Sequence, residues 1–304
     1  MHRTLFFITF VALLLISCAT TKDSVDNRVL SDEERAIAEF TQAISLNPND
    51  AIAFYNRGGV YFTMEKYELA IADFTSAINI EPEFAVAFYS RGEAHFNLGH
   101  YRDAIEDFTR VINLDPSFAW AYNMRGNAFV RIDQLELALE DFTRALEIEP
   151  GLAWAYYYRG GVHFDMGDYD SAIADLTKAI SLMRDFAWAY YNRGMAHSRI
   201  GELDRAIEDF TQAILIEPNF AWAYNMRGNT YIRRGDHEHA ILDLTQAIRL
   251  APNDAVAHYS RGVAYILTAE YELAVTDLKN ALQLDPHFTL AQETLHDAQI
   301  LSRR

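Results

Sequence analysis

The sequence predicts an all-α solenoid, a fold in which short helix-turn-helix units stack along one axis. Three observations predict it: a fixed period, two small residues at constant places in each unit, and a proline near the end of nearly every unit. The period is 34 residues, and no insertion interrupts it. Seven consecutive units begin at Ala51, Ala85, Ala119, Ala153, Ala187, Ala221 and Ala255. A period of this length is typical of stacked-repeat proteins, whose units bury their apolar faces against their neighbours.

The composition indicates a folded and strongly acidic protein. The chain has 304 residues, of which 50% are hydrophobic, and this is too apolar for a disordered repeat region. The formal net charge is −17 and the sequence pI is about 4.9. Such a surface repels phosphate backbones, so the composition argues against a general nucleic-acid-binding role. The single cysteine, Cys18, excludes an intrachain disulfide.

Residues 1–17 are predicted to be a lipoprotein signal peptide. His2 and Arg3 precede an apolar run over residues 5–16, which is too short to span a bilayer comfortably. The run ends in Leu-Ile-Ser-Cys, which resembles the lipobox of bacterial lipoproteins and implies cleavage before Cys18 and acylation of that residue. Ordinary signal cleavage after Ala19 is the alternative.

Lipidation is the favoured interpretation, because an unpaired thiol is otherwise unexpected in an exported protein. Each buried acyl methylene contributes about 0.8 kcal/mol, so several chains would hold the protein to a membrane almost permanently. Ala19 follows Cys18, with no Asp in that place, and this resembles the pattern of diderm lipoproteins that are sorted to the outer membrane, which predicts an anchor facing the periplasm. Residues 18–30 are polar and aperiodic, and we expect them to form a flexible tether.

Small residues predict where the two helices of each unit cross. With the first alanine as position 1, position 8 is always glycine and position 20 is always alanine, on either side of a turn near positions 15–16. Two helices approach closely only where side chains are small, so these positions are expected to face each other. Position 24 is always bulky and apolar. Position 32 is proline except at Arg184, which predicts the end of the second helix there.

This pattern resembles the tetratricopeptide repeat, which has aromatic residues at positions 4 and 11, glycine at 8, alanine at 20, an apolar residue at 24 and proline at 32. The resemblance covers residues 31–288, with seven full repeats over 51–288. It implies a right-handed superhelix in which the first helices of successive repeats line a concave groove. Members of this family act mainly by binding partners.

One departure from the family is systematic. Position 7, usually leucine, is arginine in all seven repeats, and position 23 is aspartate in all seven. We predict a structural ladder of partly buried Arg–Asp pairs, in which each aspartate meets the arginine 16 residues before it or 18 residues after it. The ladder residues are Arg57, Asp73, Arg91, Asp107, Arg125, Asp141, Arg159, Asp175, Arg193, Asp209, Arg227, Asp243, Arg261 and Asp277.

The two ends are predicted to be caps. Residues 31–50 match only the second half of a repeat, and Ser31 followed by Glu34 predicts a capping box at its start. Residues 289–304 begin like an eighth repeat but carry Leu295 and His296 where Arg-Gly belongs, which is typical of a capping helix. The predicted total is about sixteen helices.

The resemblance also implies where a partner binds. In the family, positions 2, 5, 6, 9, 12 and 13 of the first helix usually face the ligand. The central four repeats carry aromatic, amide and guanidinium side chains at these positions, and Trp, Tyr and Arg are the residues that most often anchor partners. The predicted partner-binding groove consists of Trp120, Trp154, Trp188, Trp222, Asn123, Asn127, Tyr157, Tyr191, Asn225, Asn229, Arg131, Arg199 and Arg233.

A packing role for the tryptophans is the alternative. At position 2 they can pack on the preceding repeat, for instance on Phe118, Phe186 or Phe220. Positions 2, 5 and 6 carry no lysine or arginine, which disfavours the chaperone docking in which some tetratricopeptide domains hold a C-terminal carboxylate.

The sequence predicts no enzyme, no metal site and no cofactor. His95, His163 and His197 share position 11, which faces inward and is otherwise Tyr or Phe, so they are expected to pack in the core. His237 and His239 are two residues apart and do not share a helix face. The sequence contains neither a glycine-rich phosphate loop nor a metal-ligand motif.

The expected function is therefore a non-enzymatic scaffold or adaptor anchored to the bacterial cell envelope. Its partner would be another envelope protein or a peptide segment, bound in the concave aromatic groove, and no nucleic acid is expected. The alternative is an envelope lipoprotein associated with transport, in which the aromatic rings stack on a solute or a cell-wall glycan.

Overall fold

The computed structural model describes residues 31–303, and these form sixteen helices without a strand. The helices are α1 (Asp32–Leu46), α2 (Ala51–Thr63), α3 (Tyr67–Ile80), α4 (Ala85–Asn97), α5 (Tyr101–Leu114), α6 (Ala119–Arg131), α7 (Leu135–Ile148), α8 (Ala153–Asp165), α9 (Tyr169–Leu182), α10 (Ala187–Arg199), α11 (Leu203–Ile216), α12 (Ala221–Arg234), α13 (His237–Leu250), α14 (Ala255–Leu267), α15 (Tyr271–Leu284) and α16 (Thr289–Leu301). The predicted all-α repeat fold is confirmed. The predicted signal peptide (1–17), Cys18 and the tether (18–30) lie outside the described residues.

Each repeat is a pair of helices joined by a tight turn. Position 15, the turn residue, has a positive φ in all seven repeats. Four of these residues are glycine, with φ between 78° and 87°, but Glu65, Asp133 and Ala269 adopt the same conformation at 58° to 63°. A left-handed residue reverses the chain directly after a helix, so the second helix can begin within two or three residues and fold back on the first.

The helix crossing is closer than a side chain at position 8 would allow. A Cβ placed on Gly126 would lie 2.9 Å from Cε1 of Phe142, the fully buried residue at position 24. The expected partner of this glycine was the alanine at position 20, Ala138. The nearest neighbour is instead the position-24 side chain one turn further along α7, because that ring extends across the crossing. In other repeats the carbonyl oxygen of the position-20 alanine is also a close neighbour. A Cβ placed on Gly194 would lie 3.2 Å from the carbonyl oxygen of Ala206.

Stacking of the repeats creates two different surfaces. Within residues 31–303 the first helices contact one another in the series α2, α4, α6, α8, α10, α12, α14 and α16, whereas the second helices contact only first helices. The first helices are therefore the more closely packed layer and line the inner surface of the solenoid. We refer to this inner surface, formed by α2, α4, α6, α8, α10, α12 and α14, as the groove.

The arginines at position 7 and the aspartates at position 23 form pairs within each repeat. In all seven repeats Nε and Nη2 of the arginine donate to the two carboxylate oxygens of the aspartate 16 residues later, at 2.6–2.9 Å. Of the two spacings that the sequence allowed, 16 and 18, the structure has the first. Every one of these aspartates is buried, with 2–7% of its surface exposed. The bidentate geometry is the strong form of this ion pair, and it joins the two helices of one repeat.

The same arginines also join neighbouring repeats. The Nη1 group donates to a threonine hydroxyl on the second helix of the preceding repeat at 2.9–3.1 Å, as Arg159 does to Thr143. This threonine occupies position 25 wherever a repeat with an arginine follows. Each guanidinium group therefore links three helices.

Both ends of the array are closed by single helices. Ser31 caps α1 and forms the predicted capping box with Glu34. At the other end Ala291 and Ala298 of α16 are fully buried against Leu278 and Ala281 of α15, as expected of a capping helix. Among the described residues, no helix has both the length and the apolar character needed to cross a membrane.

Candidate functional site

The tryptophans at position 2 pack on the residue that ends their own repeat. The rings of Trp154 and Trp188 lie 4.6 Å from those of Phe186 and Phe220, each of which directly precedes the first helix of the following repeat. Trp120 packs against a buried cluster that includes Leu152, the corresponding residue. Packing on Phe186 and Phe220 was predicted, but Trp154 and Trp188 contact the phenylalanine ahead of them in the chain and not one in the preceding repeat. This packing covers the tryptophans only in part, because Trp154 and Trp188 remain 37% and 38% exposed.

Trp222 is the most accessible of the four, with 55% of its surface exposed. The residue at position 34 that would support it is Asp254, where the other repeats have Phe or Leu. Without an apolar neighbour there, its ring lies 5.4 Å from Trp188 and 6.4 Å from Phe220. Trp154, Trp188 and Trp222 thus provide exposed aromatic surface along the groove.

The side chains at position 5 were predicted to face a partner, but they pack inside the array. Its side chain packs against the residue 29 positions later, as in the pairs Tyr157–Phe186 (4.7 Å) and Tyr191–Phe220 (5.1 Å). The asparagines at this position are buried, Asn123 with 1% and Asn225 with 7% exposure. Both were predicted to contact a partner, and the structure places them inside the interface between repeats instead.

The side-chain amides of the two asparagines differ in their hydrogen bonds. Asn225 donates to the Asp254 carboxylate at 3.2 Å and accepts from the Asn229 amide at 2.6 Å. Asn123 faces Leu152 at the same place, and neither its amide nitrogen nor its carbonyl oxygen has a hydrogen-bond partner within residues 31–303. Nothing else in the structure explains this buried amide.

Two of the predicted groove arginines are engaged by the preceding repeat. The guanidinium group of Arg131 stacks over the Tyr101 ring at 4.7 Å, and Arg233 donates to the backbone carbonyl and hydroxyl of Ser198. Arg199 is exposed on the same row. These side chains therefore form the edge of the groove, and its floor is built from other residues.

A cavity of about 220 Å³ opens into the groove where α6, α8 and α10 meet. It exists because position 9 of α8 is Gly161, where an added Cβ would meet no atom of the described chain within 4 Å. The cavity is lined by Asn127, Val130, Tyr157, Tyr158, Gly161, Val162, Asp165 and Asn192. Sequence analysis predicted two of these, Asn127 and Tyr157. It missed Gly161, although a glycine at position 9 between residues of larger size was visible in the repeat pattern.

The cavity walls are aromatic and hydrogen-bonding, with one carboxylate. Burial raises the pKa of the Tyr157 and Tyr158 phenols, and the neighbouring Asn192 and Asn127 side chains oppose the shift. Burial also raises the pKa of Asp165, since desolvation disfavours its charged form. Asp165 is the only charged residue that lines the cavity in the described chain. A carboxylate in this environment favours a positively charged group beside it.

A second carboxylate, that of Glu93, lies in the groove at position 9 of α4. It was not predicted from the sequence. Burial raises the pKa of Glu93 from its ordinary value of 4.5 to about 7, although a hydrogen bond from Tyr89 opposes the shift. Between these two pH values the folded protein holds a proton that the unfolded chain releases. The stabilisation that this bound proton provides is therefore complete below about pH 4.5 and is lost as the pH rises through 7.

We expect Glu93→Gln to remove this pH dependence. Glutamine matches the protonated carboxyl, so the variant should equal the wild type near pH 4.5 and exceed its free energy of unfolding by about 2 kcal/mol at pH 8. Urea denaturation of both proteins at the two pH values measures the difference. Glu106→Gln, at an exposed glutamate of α5, is the control and should change neither value. Equal stabilities of Glu93→Gln and wild type at pH 8 would contradict the prediction.

Comparison with known proteins identifies the repeat family. A family model described as the ETO1 C-terminal domain matches residues 9–230, which is more than half of the chain. The chain belongs to this family. Two further models, described as TPR repeat and tetratricopeptide repeat, match residues 228–267 and 255–288. Its units are thus tetratricopeptide repeats, and proteins built of such repeats generally act as non-enzymatic scaffolds that bind proteins or peptides.

Solved structures show the same fold. A chain of the APC/C hetero-tetramer Cut9-Hcn1 superposes with a TM-score of 0.65 at 20% identity, over 86% of this chain and 52% of that one. The present chain therefore spans about half the length of that relative. A tetratricopeptide repeat protein from Parabacteroides merdae gives a TM-score of 0.60 at 18% identity, covering 87% and 99% of the two chains. MamA protein gives 0.51 at 27% identity, covering 57% and 95%. The search of curated proteins found no match.

Proposed function

We propose that this protein is a non-enzymatic scaffold of the bacterial cell envelope that binds an extended segment of another envelope protein in its groove. The observation that carries the proposal is the cavity beside Gly161, whose lining rings Tyr157 and Tyr158 each lie 5.9 Å from Trp154, together with the exposed surface of Trp154, Trp188 and Trp222. Exposed aromatic rings around a side-chain-sized cavity are the usual anchor points for a bound peptide. Elongated inner surfaces are also how solenoid proteins generally recognise partners.

The chemistry of the cavity favours a basic side chain from the partner. Asp165 supplies the negative charge, and the rings of Tyr157 and Tyr158 can interact with a cation through their faces. The net charge of −17 attracts basic segments over a longer distance. A lysine or arginine of the partner would therefore enter the cavity, while apolar residues on either side contact the tryptophans.

The alternative ligand, a solute or a cell-wall glycan, fits the cavity less well. Sites for small molecules commonly enclose about 300–1,000 Å³ and bury most of the ligand. The cavity beside Gly161 has about 220 Å³, which accommodates one side chain. The tryptophan rings also meet their aromatic neighbours at interplanar angles that range from 30° to 88°, so they do not form one flat platform for a sugar.

The envelope anchor is a separate part of the proposal and depends on Cys18. The motif Leu-Ile-Ser-Cys ends the apolar segment at the place that the lipobox requires. Acylation there would hold the solenoid at the outer membrane by the tether over residues 18–30. The repeats would then present their groove to proteins in the periplasm.

Gly161→Leu tests the groove directly. The added side chain fills the cavity, meets no described atom at its Cβ, and replaces glycine in a helix by a better helix former. In-cell crosslinking followed by pull-down should recover a partner with the wild type and lose it, by about tenfold or more, with Gly161→Leu. Trp222→Ala should weaken recovery as well, because Trp222 is the most exposed ring of the row.

Matched controls separate the groove from general effects of substitution. Gly59→Leu repeats the glycine-to-leucine change at position 9 of α2, where a Cβ also meets no atom of residues 31–303, and Leu242→Ala removes an apolar side chain that is 67% exposed on α13. Both should retain the partner. Cys18→Ser should keep partner binding in detergent extracts but move the protein from the membrane to the soluble fraction. Retention of the partner by Gly161→Leu would exclude the central groove, and an unchanged membrane fraction in Cys18→Ser would exclude the lipid anchor.

A further inference from the structure

The histidines at position 11 have different surroundings in different repeats. In two repeats the imidazole lies between two carboxylates: its Nδ1 faces an acid at position 16, and its Nε2 faces the aspartate at position 23. The Nδ1 distances are 3.7 Å from His163 to Asp168 and 2.7 Å from His197 to Glu202. The Nε2 distances are 3.8 Å to Asp175 and 3.9 Å to Asp209. His197 is buried and hydrogen-bonds Glu202, and His163 lies near its two carboxylates; the sequence led us to expect that all three histidines pack in the core.

The third histidine, His95 on α4, lacks the acid at position 16. His100 occupies that position, and the two rings are 5.9 Å apart between centroids. The Nδ1 atom of His95 is buried and has no hydrogen-bond partner within residues 31–303. Asp103, in the first turn of α5, lies on the same side of the turn. One ligand atom from each of His95, His100 and Asp103 lies within 4.8 Å of the other two.

We propose that His95, His100 and Asp103 bind a Zn²⁺ ion at the turn between α4 and α5. Two imidazoles and one carboxylate are a ligand set that suits Zn²⁺, and three protein ligands leave the fourth tetrahedral position to water. Zinc–ligand bonds of about 2 Å place the ligand atoms within about 4 Å of one another, so the site needs only a small closure. His100 and Asp103 are both exposed and can make this adjustment, while His95 is held in the helix interface.

The surroundings of His95 support this assignment. Asp107, the position-23 aspartate of the same repeat, corresponds to Asp175 and Asp209, which face Nε2 of His163 and His197 in the other two repeats. A carboxylate that accepts from the second nitrogen of a ligating histidine is a common support of zinc sites. The unpartnered Nδ1 would then be the metal ligand. The ion would connect the two helices of this repeat at the end where the turn joins them.

The other repeats supply the variant that tests the site. His100→Glu gives this repeat the arrangement that His197 and Glu202 have, so it should fold while exchanging one imidazole ligand for a carboxylate that pairs with the free Nδ1 of His95. Asp103→Asn removes a second ligand on an exposed position. Calorimetric titration of the purified, chelator-treated full chain with Zn²⁺ should show one binding event that either variant weakens by about tenfold or more. Circular dichroism checks that both variants are folded.

His239→Asn is the control, because His239 is an exposed histidine of α13 that lies outside the site. It should bind Zn²⁺ as the wild type does. Mg²⁺, which prefers oxygen ligands, should give no corresponding event in any of the proteins. Zinc binding that is equal in the wild type, His100→Glu and Asp103→Asn would overturn the proposal, and so would the absence of a binding event in the wild type.

Discussion

Arg159→Leu is expected to destabilise the protein by about 2–4 kcal/mol, because it leaves the carboxylate of Asp175 buried without its partner. Arg159 donates two hydrogen bonds to Asp175 at 2.7 and 2.8 Å, and a third to Thr143 of the preceding repeat. The Asp175 side chain is 10% exposed, so water cannot replace these bonds. Urea denaturation, monitored by circular dichroism, measures the loss as a lower transition midpoint.

Two further variants show whether the unpaired charge is the cause. Arg144→Leu removes an ion pair with Glu147 whose side chains are 52% and 59% exposed, and we expect a change within about 0.5 kcal/mol. The double variant Arg159→Leu, Asp175→Leu removes both charges and should recover much of the stability lost in the single variant. A double variant as unstable as Arg159→Leu would assign the effect to lost packing.

Gly58→Ala and Gly59→Ala are expected to change stability in opposite directions although the residues are adjacent in α2. A Cβ on Gly58 would lie 2.8 and 2.9 Å from two atoms of the Phe74 ring and 3.2 Å from Cβ of Asp73. Phe74 is fully buried, so its ring has little room to move, and overpacking of this kind costs about 1–3 kcal/mol.

The neighbouring glycine has no such constraint. A Cβ on Gly59 would meet no atom of the described residues within 4 Å. Replacing glycine by alanine inside a helix then gains about 0.5–1 kcal/mol, because alanine has less conformational freedom to lose on folding. Urea denaturation of the two variants beside the wild type gives both values. If Gly58→Ala proved as stable as Gly59→Ala, the crossing of α2 and α3 would be looser than the structure indicates.

Some groove features were visible in the sequence only as relations between repeats. Where position 5 is tyrosine, the residue 29 positions later is phenylalanine, as in Tyr157 and Phe186; where it is asparagine, that residue is Leu152 or Asp254. This relation indicates a contact between repeats, and it would have shown that Asn123 and Asn225 are buried. The threonine at position 25 is a similar signal, because it is present wherever an arginine of the next repeat reaches it.

Other features could not be read from the repeat pattern. The sequence spacings between His95, His100 and Asp103 are ordinary for a helix-turn-helix unit. These residues form a cluster because a tight turn brings the start of α5 beside the end of α4. The cavity beside Gly161 depends on side chains from three successive first helices. In both cases the relevant neighbours are distant in the repeat pattern, and their separation depends on how the helices cross.

The sequence by itself determined the helices, their order and their caps, because these depend on local and periodic features. Three of these features act within one repeat: the glycine at position 8, the alanine at position 20 and the proline at position 32. The 34-residue period repeats them along the chain. The tertiary structure decided that each aspartate pairs with the arginine 16 residues before it, that Trp154 and Trp188 pack forward, and that Asn123 and Asn225 are buried. These outcomes depend on the offset and rotation between neighbouring repeats. That geometry is set by the packing of many side chains together, and it has no counterpart in the spacing of any one motif.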